Sequence, residues 1–438
     1  MDNASSAGIG PVSQSERIGI IDSLRGFAIL GILLMNIPFF GLPDPATYNP
    51  LVRHEVGTIN EKIFYIVGLV FDGTQRAIFS MLFGAGTLLF ISRVQKRSAG
   101  MAPADYFVRR QLWLVVFGLV DGYLLLWNGD ILFDYGIAGI ILFAFREMTP
   151  KSLLVAAGIC LILMTARENV DLYRQKAVII RGETVARIDT AKVKLTEQQQ
   201  DELAAMKDLR DKWDTASMKK EAAKNLRQVR GDYPTLYQNI SNETMTIETL
   251  SAYTWIWDSL LFMFLGMALF KTGFLMGQGP LRVYWWLLVV GLTAGIFLTY
   301  TWLEPEIRLK YDFYQYYKQV HFDYYEIGRV LRSLGLFGLI ILLYKSGWFN
   351  WLFALMRPVG QMAFTNYLMQ SILCGLFFYG IGLGMFGKLE RYQIYYVVGG
   401  VWVLEIGWSH LWLRRFRFGP FEWMWRSLTY WKRQPMKR

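Results

Sequence analysis

Long apolar runs separated by short polar connections dominate this chain. Ten of these runs approach the roughly 20 residues that a helix needs to cross a bilayer. They predict an all-α polytopic membrane protein with about ten transmembrane helices. Segment 59–71 is apolar but too short to cross, and we expect it to be an interfacial helix. The predicted spans are 18–40, 74–92, 107–127, 131–146, 151–167, 252–272, 282–302, 325–345, 359–385 and 392–413.

Residues 168–250 interrupt this pattern with 14 basic and 14 acidic side chains. Such a balanced, highly charged stretch predicts a soluble, partly helical insert. Within it, Thr196 to Gln199 has the form of a capping box, which predicts a helix continuing to about Arg230. The predicted organisation is a disordered cytoplasmic N-terminus (1–17), a first transmembrane bundle (18–167), the insert (168–250), a second bundle (251–413) and a basic cytoplasmic tail with an amphipathic segment (414–438).

Composition and charge support a membrane protein and indicate its orientation. Hydrophobic residues make up 53% of the chain and charged residues only 18%, whereas soluble domains carry more charge. The net charge of +11 does not indicate nucleic-acid binding, because excess Lys and Arg marks cytoplasmic loops in membrane proteins. The 93–110 connection and the 414–438 tail are both strongly basic. We therefore expect both termini in the cytoplasm and an extracytoplasmic insert.

The first predicted span carries a polar stripe. Asp22, Arg25 and Asn36 share one helix face, since Asn36 follows Arg25 by about three turns. A charge at membrane depth costs about 2.5–3.5 kcal/mol on insertion scales, so it needs a partner and commonly marks function. Asp22 and Arg25 either neutralise each other as a structural pair, or Arg25 grips an anionic substrate group while Asp22 holds it in place.

Acidic residues near the third span form a second candidate site. Asp121 lies within the span, and Asp130 and Asp134 follow a tight turn. Close carboxyl groups suit a general base, a proton relay or a cation site. Asp130 is equally well explained as a helix N-cap, whereas capping does not explain Asp121.

Two further polar groups interrupt apolar stretches. Arg76 follows Asp72 at helical spacing, and Thr365, Asn366 and Gln370 share one face of a late span. Polar groups in these positions face a cavity or another helix rather than lipid. We expect the polar groups of the first, third and ninth spans to enclose one wet chamber.

Histidines and cysteines offer little further chemistry. The chain has three histidines and two cysteines, and no pair of histidines has metal-ligand spacing. We therefore expect no metal site and no tightly bound cofactor. His54 follows the first span in an outward loop, where it is either a base that meets an extracytoplasmic substrate or a solvated side chain.

Several motifs together resemble the YeiB-like proteins of bacterial inner membranes, which carry domain of unknown function 418. The resemblance spans nearly the whole chain, and the run that begins at Gly419 is the most specific part. The matching runs are Asp22-x-Leu24-Arg25-Gly26, Phe79-x-x-Leu82-Phe83-Gly84-x-Gly86, Gly129-Asp130-Ile131-Leu132, Gly360-x-Met362-Ala363-x-Thr365-Asn366-Tyr367 and Gly419-Pro420-x-Glu422-Trp423-x-Trp425-Arg426.

The first-span pattern of this family is similar to that of transmembrane acyltransferases, which use cytoplasmic acyl-coenzyme A (acyl-CoA). In lysosomal-type members of that wider group a histidine after the first span accepts the acyl group, and His54 lies in the corresponding loop. The resemblance implies acyl-CoA as co-substrate, with Arg25 positioning the thioester and Asp130 or His54 deprotonating the acceptor. Its phosphates would be attracted by Arg93, Arg109 and Arg110.

Two other functions stay open at this point. Five spans on each side of the insert would suit an inverted repeat, so a transporter of a small solute or lipid coupled to protons or cations is the alternative. A lipid-binding scaffold without turnover is the third hypothesis. We expect membrane lipids and a small-molecule or lipid substrate as partners, expect no nucleic acid, and leave a homodimer open.

Overall fold

The computed structural model describes residues 18–97, 102–189 and 191–438. The N-terminal segment 1–17, predicted to be disordered, lies outside these residues. No strand occurs in the described ranges, where the only bridge pairs Phe416 with Lys437. The helices are α1 Gly19–Gly41, α2 Asp44–Tyr48, α3 Ile59–Val70, α4 Thr74–Arg97, α5 Ala102–Tyr123, α6 Leu132–Leu142, α7 Pro150–Ala186, α8 Glu197–Trp213, α9 Thr215–Val229, α10 Tyr233–Leu250, α11 Ile256–Lys271, α12 Leu281–Arg308, α13 Phe313–Gln319, α14 Tyr325–Ser346, α15 Asn350–Gln361, α16 Ala363–Phe378, α17 Arg391–Arg415 and α18 Pro420–Tyr430.

Six described helical stretches are long and apolar enough to cross a bilayer. They are 19–41, 59–96, 150–186, 233–271, 281–308 and 325–346, and shorter apolar helices cover 132–145 and 363–378. The predicted fold class, an all-α polytopic membrane protein, is confirmed. The predicted interfacial segment 59–71 forms α3, which is separated from α4 only by a turn at Gly73, where φ is +67°.

The first helix lies at the centre of the bundle. In its apolar stretch 72% of the residues are buried by the rest of the protein, against 17% in α12, which is therefore peripheral. Glycines allow α1 to approach α15 closely: a Cβ at Gly26 would overlap the carbonyl oxygen of Met356, and one at Gly360 would overlap that of Asp22. This contact fixes the charged first turns of α1 against the end of α15.

The glycine run in α4 also serves packing, because small residues let two helices approach closely. A Cβ at Gly84 would overlap the backbone of Met263 in α11, and one at Gly266 of α11 would overlap the backbone of Met81. The two helices therefore touch backbone to backbone.

The charged insert differs in part from its prediction. The capping box is confirmed, since Thr196 and Gln199 each accept a hydrogen bond from the other's backbone N–H. The single helix predicted to reach Arg230 is wrong, because the chain breaks at Asp214. The Asp214 carboxylate accepts from the N–H groups of Ala216 and Ser217 and so begins α9 as a new helix.

Helix α7 carries the chain from the bundle into the insert. It has 37 residues and is therefore about 55 Å long, well beyond the roughly 30 Å of a hydrocarbon core. The insert then packs on the bundle at the end opposite the start of α1. There Met218 and Ala222 of α9 bury Ala46 and Val52, which follow the C-terminal end of α1.

Candidate functional site

A cavity of about 230 Å³ lies among the start of α1, the end of α4, the starts of α5 and α16, and α18. We call the end of the bundle where α1 and α5 begin the basic end. We call the cavity the central cavity. Its polar wall contains Asp22, Arg25, Arg93, Arg110, Gln361, Glu422 and Arg426. Its apolar wall includes Phe79, Leu82, Phe83, Leu89, Phe90, Leu114 and Phe364.

Asp22 and Arg25 form one side of the cavity. The Arg25 Nη1 lies 3.7 Å from Asp22 Oδ1, one helical turn away, and Gln361 Nε2 donates to Asp22 Oδ2 at 3.3 Å. Because Asp22 is held by Gln361 as well as by Arg25, it orients a guanidinium group whose side chain stays 30% exposed. The two interpretations of this pair are therefore compatible: it packs α1 and it presents Arg25 to the cavity.

Arg110 is held on the cavity wall by aromatic stacking. Its guanidinium carbon lies 3.5 Å from the ring centroid of Trp425 and 5.0 Å from that of Phe90. The Trp425 Nε1–H also donates to the Arg110 carbonyl at 2.9 Å, which ties α18 to α5. Stacking of this kind fixes the orientation of arginine without neutralising its charge.

The discontinuity between α15 and α16 forms a third side of the cavity. Glu422 of α18 accepts hydrogen bonds from the N–H groups of Phe364 and Thr365, at 2.8 and 3.0 Å, and from the Thr365 hydroxyl. A carboxylate satisfies the free amides of a helix start and interacts favourably with its dipole. Glu422 is thus committed to α16, and Thr365 faces this carboxylate.

Tyr367, Asp130 and Asp121 form a connected group beside the cavity. Tyr367 lines the cavity, and its hydroxyl donates to Asp130 Oδ1 at 3.2 Å. Asp130 Oδ2 accepts from the N–H of Phe133 at 2.9 Å, so the predicted capping contact is present. Asp121 is fully buried, lies against the Asp130 carboxyl group and accepts from Ser371 at 3.2 Å.

Asn366 and Gln370 lie in contacts between helices and do not line the cavity. Asn366 Nδ2 donates to the Val359 carbonyl and to Ser409, and its Oδ1 accepts from Trp408. Gln370 donates to the Ile29 carbonyl and to Glu405. The expected single chamber does not include these residues, because α16 turns this polar face toward α1 and α17.

Arg76 belongs to a separate buried ion network. It pairs with Asp258 of α11, which also binds Arg329 of α14, and Arg329 pairs with Glu326 at 2.7 Å. This network ties α4, α11 and α14 together. Asn36 lies half-buried farther along α1 and is absent from the cavity wall.

The remaining sequence-predicted residues divide between the two ends of the bundle. Arg93 lines the cavity, whereas Arg109 lies outside it, next to Asp105 and 5.3 Å from the ring of Trp431. His54 lies at the opposite end, with φ at +57° and Nε2 3.2 Å from Lys219 Nζ in the insert. The structure therefore does not bring His54 together with Arg25.

Tyr367, Glu422, Trp425 and Arg426 are cavity residues that the sequence reasoning did not select. All four fall within the runs that carry the family resemblance. The resemblance was therefore the one feature of the sequence that could have indicated them. In the described part of the chain, no cluster of three or more His, Cys, Asp or Glu side chains is arranged to hold a metal ion.

A bundle of long apolar helices around a cavity with an arginine-rich wall defines the chain as an all-α polytopic membrane protein. The family model described as "Protein of unknown function (DUF418)" matches residues 269–432, which include Tyr367 and the whole of α18. The chain is homologous to YxaH and YeiB, and the predicted YeiB-like resemblance is confirmed.

These relatives align over nearly their full length. "Uncharacterized protein YxaH" of Bacillus subtilis (strain 168) is 29% identical over 439 residues, covering 98% of each chain. "Uncharacterized protein YeiB" of Escherichia coli (strain K12) is 28% identical over 422 residues, covering 94% of this chain and 96% of YeiB. An uncharacterized 39.9 kDa protein from the amylase 3′ region of Bacillus acidopullulyticus is 25% identical, covering 97% of each chain. No solved structure matches this chain.

Proposed function

We propose that this protein is a bacterial inner-membrane acyltransferase whose central cavity binds the acyl-pantetheine end of acyl-CoA. The observation that supports this most is the composition of the cavity wall. Four arginines share it with two carboxylates, and one of these, Glu422, is already engaged in capping α16. The rest of the wall is mainly aliphatic and aromatic. Acyl-CoA is complementary to this wall, since it joins phosphate groups, which bind arginine, to a thioester and an apolar acyl chain.

The dimensions of the cavity limit what enters it. Its volume of about 230 Å³ is below the roughly 300–1,000 Å³ of pockets that enclose a drug-sized ligand. Since a cavity of this size does not enclose a whole CoA molecule, we place the acyl-pantetheine arm in the cavity and the nucleotide at its mouth. Arg93, Arg110 and Arg426 are the groups that meet its phosphates, because arginine is always charged and binds phosphate through two parallel N–H donors.

The orientation of the chain follows from its basic connections. The basic end carries the 93–110 connection and the 414–438 tail, both rich in Lys or Arg, beside the start of α1. Positive loops stay in the cytoplasm. The cavity mouth then faces the cytoplasmic pool of acyl-CoA, and the insert faces outward.

A binding measurement in lipid nanodiscs tests this function. The probes are acetyl-CoA, decanoyl-CoA and decanoyl-pantetheine, which lacks the nucleotide phosphates, with empty nanodiscs as the background. We expect both CoA esters to bind, decanoyl-pantetheine to bind at least about tenfold more weakly, and Arg110→Ala to remove most of that difference. Arg174→Ala, at a side chain that is 75% exposed in the insert-facing part of α7, is the matched control. Absence of CoA-ester binding, or equal binding of all three probes, overturns the proposal.

A proton-coupled or cation-coupled transporter is the second candidate, and the discontinuous helix favours it. The α15–α16 break at Met362 lies next to the cavity, and broken helices form binding sites in secondary transporters. Proteoliposomes distinguish the two. If the protein is a transporter, a solute should move while an imposed pH gradient dissipates, and acetyl-CoA should not bind. If it is an acyltransferase, acetyl-CoA should bind and the pH gradient should stay unchanged.

A further inference from the structure

We propose that Tyr367 and the carboxyl pair Asp130–Asp121 form a proton relay at the inner side of the central cavity. This inference rests on the proposed function, because it assigns the group that takes the proton from the acyl acceptor. Tyr367 is the member that touches the occupant of the cavity. Asp130 and Asp121 act through it and are positioning residues.

The hydrogen bonds around the Tyr367 hydroxyl give it a direction. Its oxygen accepts from the backbone N–H of Ile131 at 3.0 Å and its proton is donated to Asp130 Oδ1 at 3.2 Å. The Trp127 side chain also bonds to this oxygen, so an acceptor group in the cavity takes the place of the Trp127 donor when it passes its proton to the oxygen and the Tyr367 proton moves to Asp130. Tyr367 is thus arranged to pass a proton from the cavity toward Asp130.

The two carboxyl groups behind Tyr367 store that proton. Asp121 is fully buried, and its Oδ1 accepts no hydrogen bond from any N–H or O–H of the described residues. The neighbouring Asp130 carboxyl group is its remaining partner, and a hydrogen bond between two carboxyl groups requires a proton on one of them. No described Lys, Arg or His is among the groups that act on either carboxyl. The arrangement therefore suits proton exchange better than a structural ion pair.

The fold brings these three groups together from two helices and one turn. Asp121 lies near the end of α5, Asp130 in the turn to α6, and Tyr367 in α16. Ser371, one turn after Tyr367, donates to Asp121 Oδ2 at 3.2 Å. Hence α16 contacts both carboxyl groups while its Tyr367 lines the cavity.

The chemical step balances within the site. The acceptor oxygen or nitrogen attacks the thioester carbonyl, and its proton passes to Tyr367 as Tyr367 releases its own proton to the carboxyl pair. The carbon–sulfur bond breaks, the sulfur leaves with the bonding electrons, and the stored proton returns through Tyr367 to give the CoA thiol. The products are the acylated acceptor and free CoA, and the relay ends as it began.

Infrared spectroscopy tests the stored proton without any acceptor. The carbonyl stretch of a protonated carboxylic acid is separate from that of a carboxylate, and isotope-shifted spectra of the full chain in nanodiscs resolve it. We expect one component of the acid band to be lost in both Asp121→Asn and Asp130→Asn and to change on addition of acetyl-CoA. An acid band that both substitutions leave unchanged overturns the relay.

CoA release then tests the role of Tyr367. The probes are acetyl-CoA with glycerol, a weak nucleophile, and acetyl-CoA with hydroxylamine, which needs little help from a base. We expect Tyr367→Phe to bind acetyl-CoA normally, to lose at least about tenfold in transfer to glycerol and to retain transfer to hydroxylamine. The matched control is Tyr379→Phe, a buried tyrosine after α16 whose hydroxyl donates to the Leu126 carbonyl at 3.1 Å.

The outcomes separate the two proposals. If the unsubstituted protein does not bind acetyl-CoA, the proposed function fails. If it binds acetyl-CoA but Tyr367→Phe transfers to glycerol at the full rate, or loses transfer to both probes equally, the relay fails while the proposed function stands.

Discussion

Arg25 of α1 lies directly over Gly86 of α4. A Cβ at Gly86 would be 2.9 Å from Arg25 Nη2, and among the described residues outside α4 no other atom would come within contact range. The absence of a side chain at Gly86 therefore lets the guanidinium group occupy its place on the cavity wall. A substitution at Gly86 should therefore change the position of Arg25 in the site without disturbing the fold.

Gly86→Ala should displace Arg25 and leave the bundle folded, since the far end of a flexible side chain can move. We expect acetyl-CoA binding to weaken about tenfold, with the thermal melting temperature nearly unchanged. Gly84→Ala is the contrasting variant, because its Cβ would meet the backbone of Met263 and should destabilise the fold. Gly399→Ala, which has open space around it, is the neutral control. Equal binding by Gly86→Ala and the unsubstituted protein would contradict this role for Arg25.

Glu422→Ala should destabilise the protein through the start of α16. It removes the acceptor for the N–H groups of Phe364 and Thr365 and for the Thr365 hydroxyl, and leaves these buried donors unpaired. We expect a loss of about 1–3 kcal/mol in the free energy of unfolding, measured by denaturant titration in mild detergent. Glu147→Ala, whose side chain is 76% exposed, should change stability little. Equal stability of the two variants would show that Glu422 does not cap α16.

The contact between the insert and the bundle should depend on pH. Burial and the neighbouring Glu221 carboxylate raise the pKa of Asp44 to about 6. The protonated Asp44 carboxyl group therefore stabilises the contact between the insert and the bundle. This stabilisation is complete below the ordinary pKa of about 3.8 and is lost as the pH rises through about 6. We expect α9 to exchange its amide hydrogens faster, relative to intrinsic rates, above this pH than below it.

Asp44→Asn is the variant that isolates this effect. It keeps the size of the side chain and its reach to Asn225, which lies 3.4 Å from Asp44 Oδ2, but it cannot ionise. The pH dependence of exchange in α9 should then flatten. A pH dependence that is unchanged in Asp44→Asn would assign it to another group.

Single cysteines test the orientation of the chain. The two natural cysteines, Cys160 and Cys374, are buried, so labelling of the unsubstituted protein by an impermeant maleimide should be weak. We expect Lys207→Cys, exposed in α8, to react in intact spheroplasts and Lys432→Cys, exposed after α18, to react only after permeabilisation. The reverse pattern would place the cavity mouth outside and remove its access to acyl-CoA.

The sequence predicts the helices of this fold better than it predicts the site. Apolar runs and basic loops are local signals, so most spans fall on helices, and the capping box at Thr196 was predicted from four residues. The break at Asp214 was missed because an N-cap aspartate in a charged stretch resembles any other surface residue. The polar pattern of Thr365, Asn366 and Gln370 was visible, but their partners lie in α1, α17 and α18. Spacing within one helix cannot show which neighbour satisfies each group.

Photocrosslinking shows whether the arginine-lined cavity holds an acyl thioester. A decanoyl-CoA analogue with a diazirine at the chain end is bound to the protein in nanodiscs, and the sample is irradiated. The labelled peptides are then identified by mass spectrometry. We expect labels on the α4 and α16 walls, around Phe79, Phe83 and Phe364, that excess acetyl-CoA suppresses and Arg110→Ala reduces. Labels confined to lipid-facing helices such as α12, or labels on the cavity that a diazirine fatty acid without CoA reproduces equally, would contradict it.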